Sequence, residues 1–147
     1  MGSYRVTVER SPAAADVALL EAKVAATAAN AAGLGEEEEF AVFVRGEDGA
    51  VVAGICGVVV GSYCELEALW VDEALRERGW ARALLAEAEE EARRRGCVLV
   101  TFHAYDLLTA RLYERLGYRT VGVVESCLAG SAIRWYCKDL DRPPSVT

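Results

Sequence analysis

The spacing of hydrophobic positions changes several times along the chain, and each change marks a predicted element. Alternating apolar residues predict a first short strand over Tyr4 to Val8. Ser11 followed by Pro12 is typical of an N-cap and the first position of a helix. The alanine-rich segment from Ala13 to about Ala32 is therefore predicted to be helical, and Gly33 ends it.

Three apolar runs follow and predict three neighbouring antiparallel strands. They extend from Phe40 to Arg45, from Val51 to Val60 and from Tyr63 to Val71. An Asp-Gly pair separates the first two runs and a Gly-Ser pair the next two, and both pairs are typical of tight turns. Gly54 and Gly57 inside the second run indicate a bulge or a close approach of two backbones.

A long helix and a further strand are predicted next. Apolar residues recur near a 3.6-residue period from Gly79 to Arg95, and Gly96 is a natural end. Glu89 to Glu91 stand four residues before Arg93 to Arg95, so we expect these charges to pair on an exposed helix face. The apolar run from Cys97 to Phe102 has the length of a strand, and a strand-helix-strand unit predicts two parallel neighbours.

A shorter helix and two strands complete the predicted order. The helix extends from about Leu107 to Leu116, and the strands extend from Tyr118 to Val124 and from Ala132 to Lys138. The resulting order, β-α-β-β-β-α-β-α-β-β, predicts a mixed α/β sheet with one central parallel pair. We expect a single domain over residues 1–147, with a loose tail over residues 141–147.

Composition and charge narrow the class of protein. Hydrophobic residues make up 53% of the chain, yet no apolar run approaches the roughly 20 residues of a membrane helix. The first residues carry no basic-then-apolar leader, so we expect a cytoplasmic protein that does not enter a membrane. The formal net charge of −7 argues against nucleic acid as a partner and favours cationic ligands such as amines.

The pattern of cysteines predicts packing residues of the core, and it does not predict a metal site or a redox site. The cysteines are odd in number and include no CxxC pair: Cys56, Cys64, Cys97, Cys127 and Cys137. Zinc-binding and redox sites use closely spaced cysteines. We therefore expect reduced cysteines packed as small core residues, and no bound metal.

The segment from residue 76 to residue 81 is the strongest candidate for ligand binding. It lies between the strand that ends at Val71 and the helix that begins at Gly79. A glycine at a helix start leaves several backbone N–H groups without an intrahelical partner, and the helix dipole adds about half a positive charge there. Such a turn binds phosphate or pyrophosphate, and open α/β sheets bind ligands at this end of a strand.

Three short motifs occur together in the second half of the chain. The first is Gln or Arg, followed after two residues by Gly and after one more residue by Gly or Ala. The second is a helix that ends in Tyr, followed after three residues by Gly and then by an aromatic residue. The third is a final strand that ends in Lys. In this chain they are Arg76, Gly79 and Ala81, then Tyr113, Gly117 and Tyr118, and finally Lys138. Between Tyr63 and Leu140 the sequence thus resembles the GNAT superfamily of acyl-CoA-dependent N-acetyltransferases.

The resemblance implies acetyl-CoA as the co-substrate and implies which residues bind it. The pantetheine arm would pair with the backbones of Leu69, Trp70 and Val71, and the Leu69 N–H would face the thioester carbonyl. Asp106 stands where many members carry an asparagine that contacts this arm, although a helix cap is the alternative for an aspartate there. The pyrophosphate would bind the turn, whose residues are Arg76, Arg78, Gly79, Trp80, Ala81 and Arg82.

The resemblance also implies that Tyr113 protonates the leaving thiolate. A tyrosine hydroxyl carries a proton at neutral pH and can donate it to sulfur. The attacking amine must lose a proton, and Glu65 and Glu67 are the candidate bases, since alternation is expected to place both on one strand face with Leu69 and Val71. Solvent exposure, or pairing with an arginine, is the alternative for either glutamate.

These expectations add up to a direct transfer reaction. We predict an enzyme that moves an acetyl group from acetyl-CoA to a primary amine of a small molecule or peptide, without an acyl-enzyme. His103 either lines the acceptor site or makes a structural hydrogen bond. The alternatives are a catalytically silent acyl-CoA-binding or sensing module, a longer acyl donor, and a binder of other nucleotide phosphates. The final strands also offer a surface for a homodimer.

Overall fold

The computed structural model describes residues 2–33, 35–105 and 110–140. From the alanine-rich helix onwards, its elements follow the predicted order, with a short 3-10 turn at Glu73–Leu75. The elements are α1 (Ala14–Ala32), β1 (Glu38–Arg45), β2 (Val51–Val60), β3 (Tyr63–Val71), α2 (Trp80–Arg94), β4 (Leu99–Tyr105), α3 (Ala110–Arg115), β5 (Arg119–Leu128) and β6 (Ser131–Asp139).

The first predicted strand is wrong. Residues 4–8 carry no regular secondary structure, and the side chains of Tyr4, Val6 and Val8 are exposed. Alternation of apolar residues makes a strand only where the backbone finds a hydrogen-bonded neighbour, and no strand of the described sheet pairs with this segment. The predicted tail over residues 141–147 and the predicted helix start at Leu107 lie outside the described residues.

By its internal contacts, the chain divides into two compact units, residues 1–36 and residues 37–147. In the first unit, α1 follows Ala13, and no side chain caps it. The helix ends as predicted at Gly33, whose φ of 65° suits glycine and whose N–H bonds to the carbonyl of Ala29. The expectation of a single domain stays a prediction.

The second unit is built on a six-stranded sheet in the order β1-β2-β3-β4-β6-β5. β3 and β4 are parallel, and the other neighbours are antiparallel. The predicted mixed α/β class with one central parallel pair is thereby confirmed. α2 packs on β1, β2 and β3. The core of this unit includes Ile55, Leu66, Leu84, Leu85, Val100, Phe102 and Tyr136.

A β-bulge interrupts β3 at Glu67. Leu66 pairs with Gly57 and Ala68 pairs with the adjacent Cys56, so Glu67 is the extra residue on its strand. The glycine signal for a bulge in this region is therefore confirmed at Gly57. Such a bulge kinks the strand and re-aims the side chains beside it.

The bulge reverses which side chains of β3 face the core. Cys64 and Leu66 are buried before it, whereas Leu69 and Val71 pack against the core after it. Glu65 alternates with Cys64 and Leu66 and therefore lies on the face opposite to Leu69 and Val71. The prediction that both glutamates share the face of Leu69 and Val71 is wrong, because one inserted residue inverts every later position of a strand.

β3 and β4 diverge beyond the bulge. Their parallel ladder extends only from Tyr63 opposite Leu99 to Glu65 opposite Thr101. From Leu66 to Val71, β3 pairs with β2 on one side but has no ladder partner on the side of β4, all of whose residues are described. Unpaired backbone N–H and C=O groups can pair with an extended ligand. We call this opening between the two strands the wedge.

The charge run at the end of α2 pairs as predicted only in part. Nε of Arg95 lies 2.8 Å from Oε1 of Glu91, four residues earlier. Glu89 is instead buried, and its Oε1 lies 2.7 Å from Nζ of Lys138 on β6. The expectation that Glu89 joins the exposed pairs is wrong, because each step along a helix rotates the side chain by about 100° and turns Glu89 toward the core.

We expect Gly57→Ala to destabilise the protein by about 2 kcal/mol, because a β-carbon at Gly57 would lie 2.6 Å from the carbonyl oxygen of Glu65. Gly122→Ala in β5 is the matched control, since its β-carbon would meet nothing closer than 4.0 Å. That variant should stay within about 0.5 kcal/mol of the wild type. Urea unfolding followed by circular dichroism measures both, and equal stabilities would contradict the close approach at the bulge.

Candidate active site

The wedge holds a cavity of about 100 Å³. Leu66 and Leu69 reach it from the core face of the sheet, and His103 reaches it from the opposite face. Groups from both sides of the sheet therefore meet in one space. The lining residues are Ile55, Leu66, Glu67, Ala68, Leu69, Leu85, Phe102, His103, Ala104 and Tyr113.

Tyr113 brings a phenol to the cavity from α3. Its side chain is only 6% exposed and packs edge-on against Phe102, with ring centroids 4.6 Å apart. It also packs against Tyr136 in a tilted arrangement, with ring centroids 5.1 Å apart. The carbonyl of Tyr113 accepts a hydrogen bond from the N–H of Tyr118, which closes α3. The ring is thus held by packing while its backbone is held by the end of the helix. The structure brings this predicted residue into the wedge.

Glu67 and His103 supply the polar groups on the other side of the cavity. The bulge carries Glu67, which is exposed and lines the cavity. His103 stacks on Trp135, with ring centroids 5.4 Å apart and an angle of 29° between the planes. An acidic residue and a histidine thus line the same cavity as Tyr113.

Glu65 does not line the cavity of the wedge. It lies below the wedge in the parallel ladder, opposite Thr101. Burial is the main cause that raises the pKa of Tyr63, and the negative charge of the nearby Glu65 raises it further. The hydrogen bond between Tyr63 and Thr101 opposes this change by lowering the pKa. The two predicted base candidates therefore occupy different places.

The turn between β3 and α2 is organised by its own hydrogen bonds. Asp72 Oδ1 accepts from the N–H of Ala74 at 2.9 Å, and Nε of Arg76 donates to the carbonyl of Val71 at 3.2 Å. Gly79 then begins α2 with a φ of 84°, and no side chain caps the helix. The first N–H groups of α2 thus carry the positive end of the helix dipole without a side-chain acceptor.

A second cavity of about 370 Å³ lies at this turn. Residues of β3 and α3 line both cavities: Leu69 and Tyr113 line the first, and Val71 and Leu112 line the second. Five of the six turn residues predicted to bind the cofactor line the second cavity, together with neighbouring residues of β3, the turn and α3. The lining residues are Val71, Leu75, Arg76, Glu77, Gly79, Trp80, Ala81, Arg82 and Leu112.

Two predicted cofactor residues, Trp70 and Arg78, line neither cavity, and a third is not among the described residues. Trp70 points its half-exposed side chain into an apolar groove with Phe43 and Cys56 on the sheet face opposite α2, so only its backbone lies on the edge of the wedge. Arg78 belongs to the turn but does not line its cavity. Asp106 lies outside the described residues.

Sequence reasoning missed five residues that line the two cavities. Leu85, Phe102 and Ala104 line the wedge, and Leu112 and Glu77 line the turn cavity. Glu77 adopts a φ of 61°, which is uncommon outside glycine. The helical period of α2 and the alternation of β4 place Leu85 and Phe102 on inward faces, but neither pattern shows that these faces border an opening.

The match between this sequence and a protein-family profile identifies the family. The profile of the Acetyltransferase (GNAT) family matches residues 11–118. The chain belongs to the GNAT acetyltransferase family. The resemblance drawn from the three motifs is thereby confirmed, and the GNAT fold uses acetyl-CoA.

Two relatives and one crystal structure illustrate how close other GNAT proteins are. Acetyltransferase Atu2258 of Agrobacterium fabrum is 35% identical over 126 residues, which are 82% of this chain and 92% of that protein. Blasticidin-S acetyltransferase of Streptomyces morookaense is 30% identical over 104 residues, which are 70% and 76% of the two chains. The crystal structure of a protein from Agrobacterium tumefaciens has a TM-score of 0.85 at 27% identity, covering 92% of this GNAT chain and 99% of that chain.

Two further features of this GNAT chain concern the described ranges only. No helix within residues 2–33, 35–105 and 110–140 is long and apolar enough to cross a lipid bilayer. Within the same residues, no three His, Cys, Asp or Glu side chains form a group that could hold a metal ion.

Proposed function

We propose that this GNAT protein transfers an acetyl group from acetyl-CoA directly to a primary amine of a small molecule. The observation that carries the proposal is the wedge, where the unpaired backbone edge of β3 borders a cavity that holds Tyr113 and Glu67. An extended thioester arm laid along that edge would present its acyl group to both side chains. The proposed roles follow from what each group can do at that position.

The cofactor arm is proposed to pair with β3. The pantetheine arm contains amide groups, which can hydrogen-bond with the backbones of Leu69, Trp70 and Val71 as an added strand does. The Leu69 N–H would then face the thioester carbonyl. As the carbonyl carbon becomes tetrahedral, its oxygen gains negative charge, and a fixed N–H donor stabilises that charge.

The pyrophosphate is proposed to bind the turn at the start of α2. The uncapped N–H groups after Gly79 and the helix dipole favour an anion there. Arg76 and Arg82 line the same cavity, and their positive charges would favour an anion there. Arg78, Trp80 and Ala81 would contribute main-chain N–H groups.

Tyr113 and Glu67 are proposed to handle the two protons of the reaction. The amine nitrogen attacks the thioester carbon, the C–S bond breaks, and the Tyr113 hydroxyl gives its proton to the leaving sulfur. The amine loses a proton to Glu67, directly or through water. Glu67 is preferred to Glu65 because Glu67 lines the cavity of the wedge. Bulk water restores both side chains to their starting state.

A small cationic acceptor is the class that the chain favours. Blasticidin-S acetyltransferase, by its name, acts on a small molecule, and it aligns with 70% of this chain. The net charge of −7 and the carboxylate of Glu67 would attract a protonated amine. An amine library with acetyl-CoA and a thiol-release readout tests the proposal. Binding of CoA without thiol release from any amine would instead support a silent binding module.

Replacing the phenol should slow the chemical step. We expect Tyr113→Phe to lower kcat by about 100-fold, because the leaving thiolate loses its proton donor, and to change the Kd of CoA less than twofold. Tyr63→Phe is the control, since Tyr63 bonds to Thr101 and lines neither cavity. Thiol release under conditions limited by chemistry measures kcat, and full turnover by Tyr113→Phe would contradict the acid assignment.

Replacing the proposed base should matter most at low pH. An alkylamine has a pKa of about 10, so at pH 7 almost every acceptor molecule must first lose a proton. We expect Glu67→Gln to lower kcat by at least about tenfold at pH 7 and by less at pH 9, where more free amine is present. Glu65→Gln is the matched control and should behave as the wild type. Equal losses in both variants at both pH values would refute the choice of Glu67.

A side chain at Gly79 should weaken CoA binding. Gly79 and Gly96 have φ values of 84° and 82°, and a β-carbon at either position meets nothing within 4 Å. Gly79→Val and Gly96→Val therefore suffer similar backbone strain, but only the first places a side chain at the proposed pyrophosphate site. We expect the Kd of CoA to rise at least about tenfold in Gly79→Val alone, measured by calorimetry. Equal affinities in the two variants would contradict the placement.

A further inference from the structure

A buried ionic cluster joins three elements outside the wedge. Oε1 of Glu89 on α2 lies 2.7 Å from Nζ of Lys138 on β6 and accepts a hydrogen bond from the Tyr118 hydroxyl at 3.0 Å. Nζ of Lys138 also donates to the carbonyl of Leu116, just after α3, at 2.8 Å. We call these four residues the Lys138 cluster.

The Lys138 cluster costs free energy that an apolar core would not. Glu89 is only 7% exposed, so its charge has left most of its water. Ion pairs of this kind can often be replaced by apolar residues without loss of stability, whereas removing one partner is strongly destabilising. Burial first, and then the Glu89 carboxylate, raise the pKa of Tyr118, so its hydroxyl keeps its proton and donates. Stability alone therefore gives a weak reason for the cluster.

The end of α3 depends on the Lys138 cluster. Within the described residues α3 has six residues, which gives few internal hydrogen bonds, and the carbonyls at its end lack intrahelical partners. Lys138 satisfies the carbonyl of Leu116, three residues beyond Tyr113. Gly117 turns the chain there with a φ of 92°, and a β-carbon at Gly117 would meet Cε of Lys138 at 3.3 Å.

The other end of the same chain of contacts is the turn at Gly79. Glu89 lies ten residues after Gly79 on α2, which corresponds to about 15 Å along the helix axis at 1.5 Å per residue. The Lys138 cluster thus connects the helix that begins at the proposed pyrophosphate site with the helix that carries Tyr113. A rigid link of this kind would fix the distance between the two ends of a bound cofactor.

We propose that Lys138, neutralised by Glu89, is a positioning residue that anchors the end of α3 and so holds the Tyr113 hydroxyl in the wedge. The proposal rests on the function proposed for Tyr113. Lys138 touches no reacting atom, and its effect passes through the Leu116 carbonyl and the backbone of α3. The anchor therefore acts on turnover more than on the affinity for the cofactor.

A neutral double variant separates anchoring from stability. Lys138→Met alone leaves the buried Glu89 charge unpaired, so its melting temperature should fall. Lys138→Met combined with Glu89→Gln removes both charges, and its melting temperature should return to within about 3 °C of the wild type. The anchor on Leu116 stays absent, so we expect kcat for thiol release to remain at least tenfold low while the KM for acetyl-CoA changes less than twofold.

The matched control removes a second ion pair from the same strand. Nη1 of Arg119 on β5 lies 2.7 Å from Oδ2 of Asp139 on β6, next to Lys138 in sequence. Arg119→Met combined with Asp139→Asn removes this pair and leaves every residue of the Lys138 cluster in place. We expect its kcat to equal that of the wild type.

A second readout does not need turnover. Protein labelled with 3-fluorotyrosine gives a fluorine resonance for Tyr113, identified by its loss in Tyr113→Phe. We expect this resonance to shift and broaden in the Lys138→Met and Glu89→Gln double variant and to stay unchanged in the Arg119 and Asp139 control. Such a change measures the surroundings of the Tyr113 ring, which a role in stability alone would leave intact once the melting temperature is restored.

The outcomes separate the two proposals. If the double variant recovers melting temperature, kcat and the wild-type fluorine resonance together, the Lys138 cluster only stabilises the fold and the positioning proposal is overturned. If the wild type releases no thiol with any amine, the proposed function fails, and the fluorine resonance alone decides whether the Lys138 cluster positions Tyr113. A displaced resonance would support that role, and an unchanged one would refute it.

Discussion

The single inserted residue in β3 is the constraint on which the candidate site depends. The bulge at Glu67 inverts the alternation of β3, and from there on the strand has no pairing with β4. The same local irregularity thus turns Leu69 and Val71 toward the core and leaves their backbone edge without a ladder partner on the side of β4. Gly57 on β2 makes the bulge feasible, because its missing side chain leaves space for the Glu65 carbonyl. An unbroken strand would continue its ladder and fill the wedge with its own hydrogen bonds.

The second constraint is that both cavities share the rigid elements around α2. The helix begins at the turn after β3, packs on three strands, and carries Glu89 on the side that meets β6. A helix changes its length very little, so the turn, the sheet and the end of α3 keep fixed distances from one another. The described part of the molecule thus places the uncapped start of α2 and a buried phenol on one scaffold.

Local patterns were enough to predict most of the elements, because the signals lie beside the residues they control. Turn residues flank β2 and β3, whose bounds the sequence predicted without error, and Gly79 and Gly96 delimit α2. The three motifs were likewise enough for the family, and Tyr113 lines the wedge, while its role there stays a prediction.

What could not be predicted depends on packing between distant segments. The orientation of Glu65 changed with one bulge, and the strand expected at Tyr4 to Val8 has no neighbour in the described sheet. The burial of Glu89 was also hidden, because its partner Lys138 is 49 residues away in sequence. A pattern read along one segment carries no information about which segment will cover it.

Beyond the bulge, β3 lies in the interior of the sheet but, like an edge strand, has a ladder partner on one side only. At the outer rim, β1 and β5 expose their edges to other molecules, and such edges invite pairing between chains and aggregation. The inner edge faces β4 across a cavity of only about 100 Å³, which has no space for a strand with side chains from another protein. The chain therefore keeps strong main-chain hydrogen-bonding groups available in a space too narrow for a polypeptide strand, which favours a slender ligand over another protein.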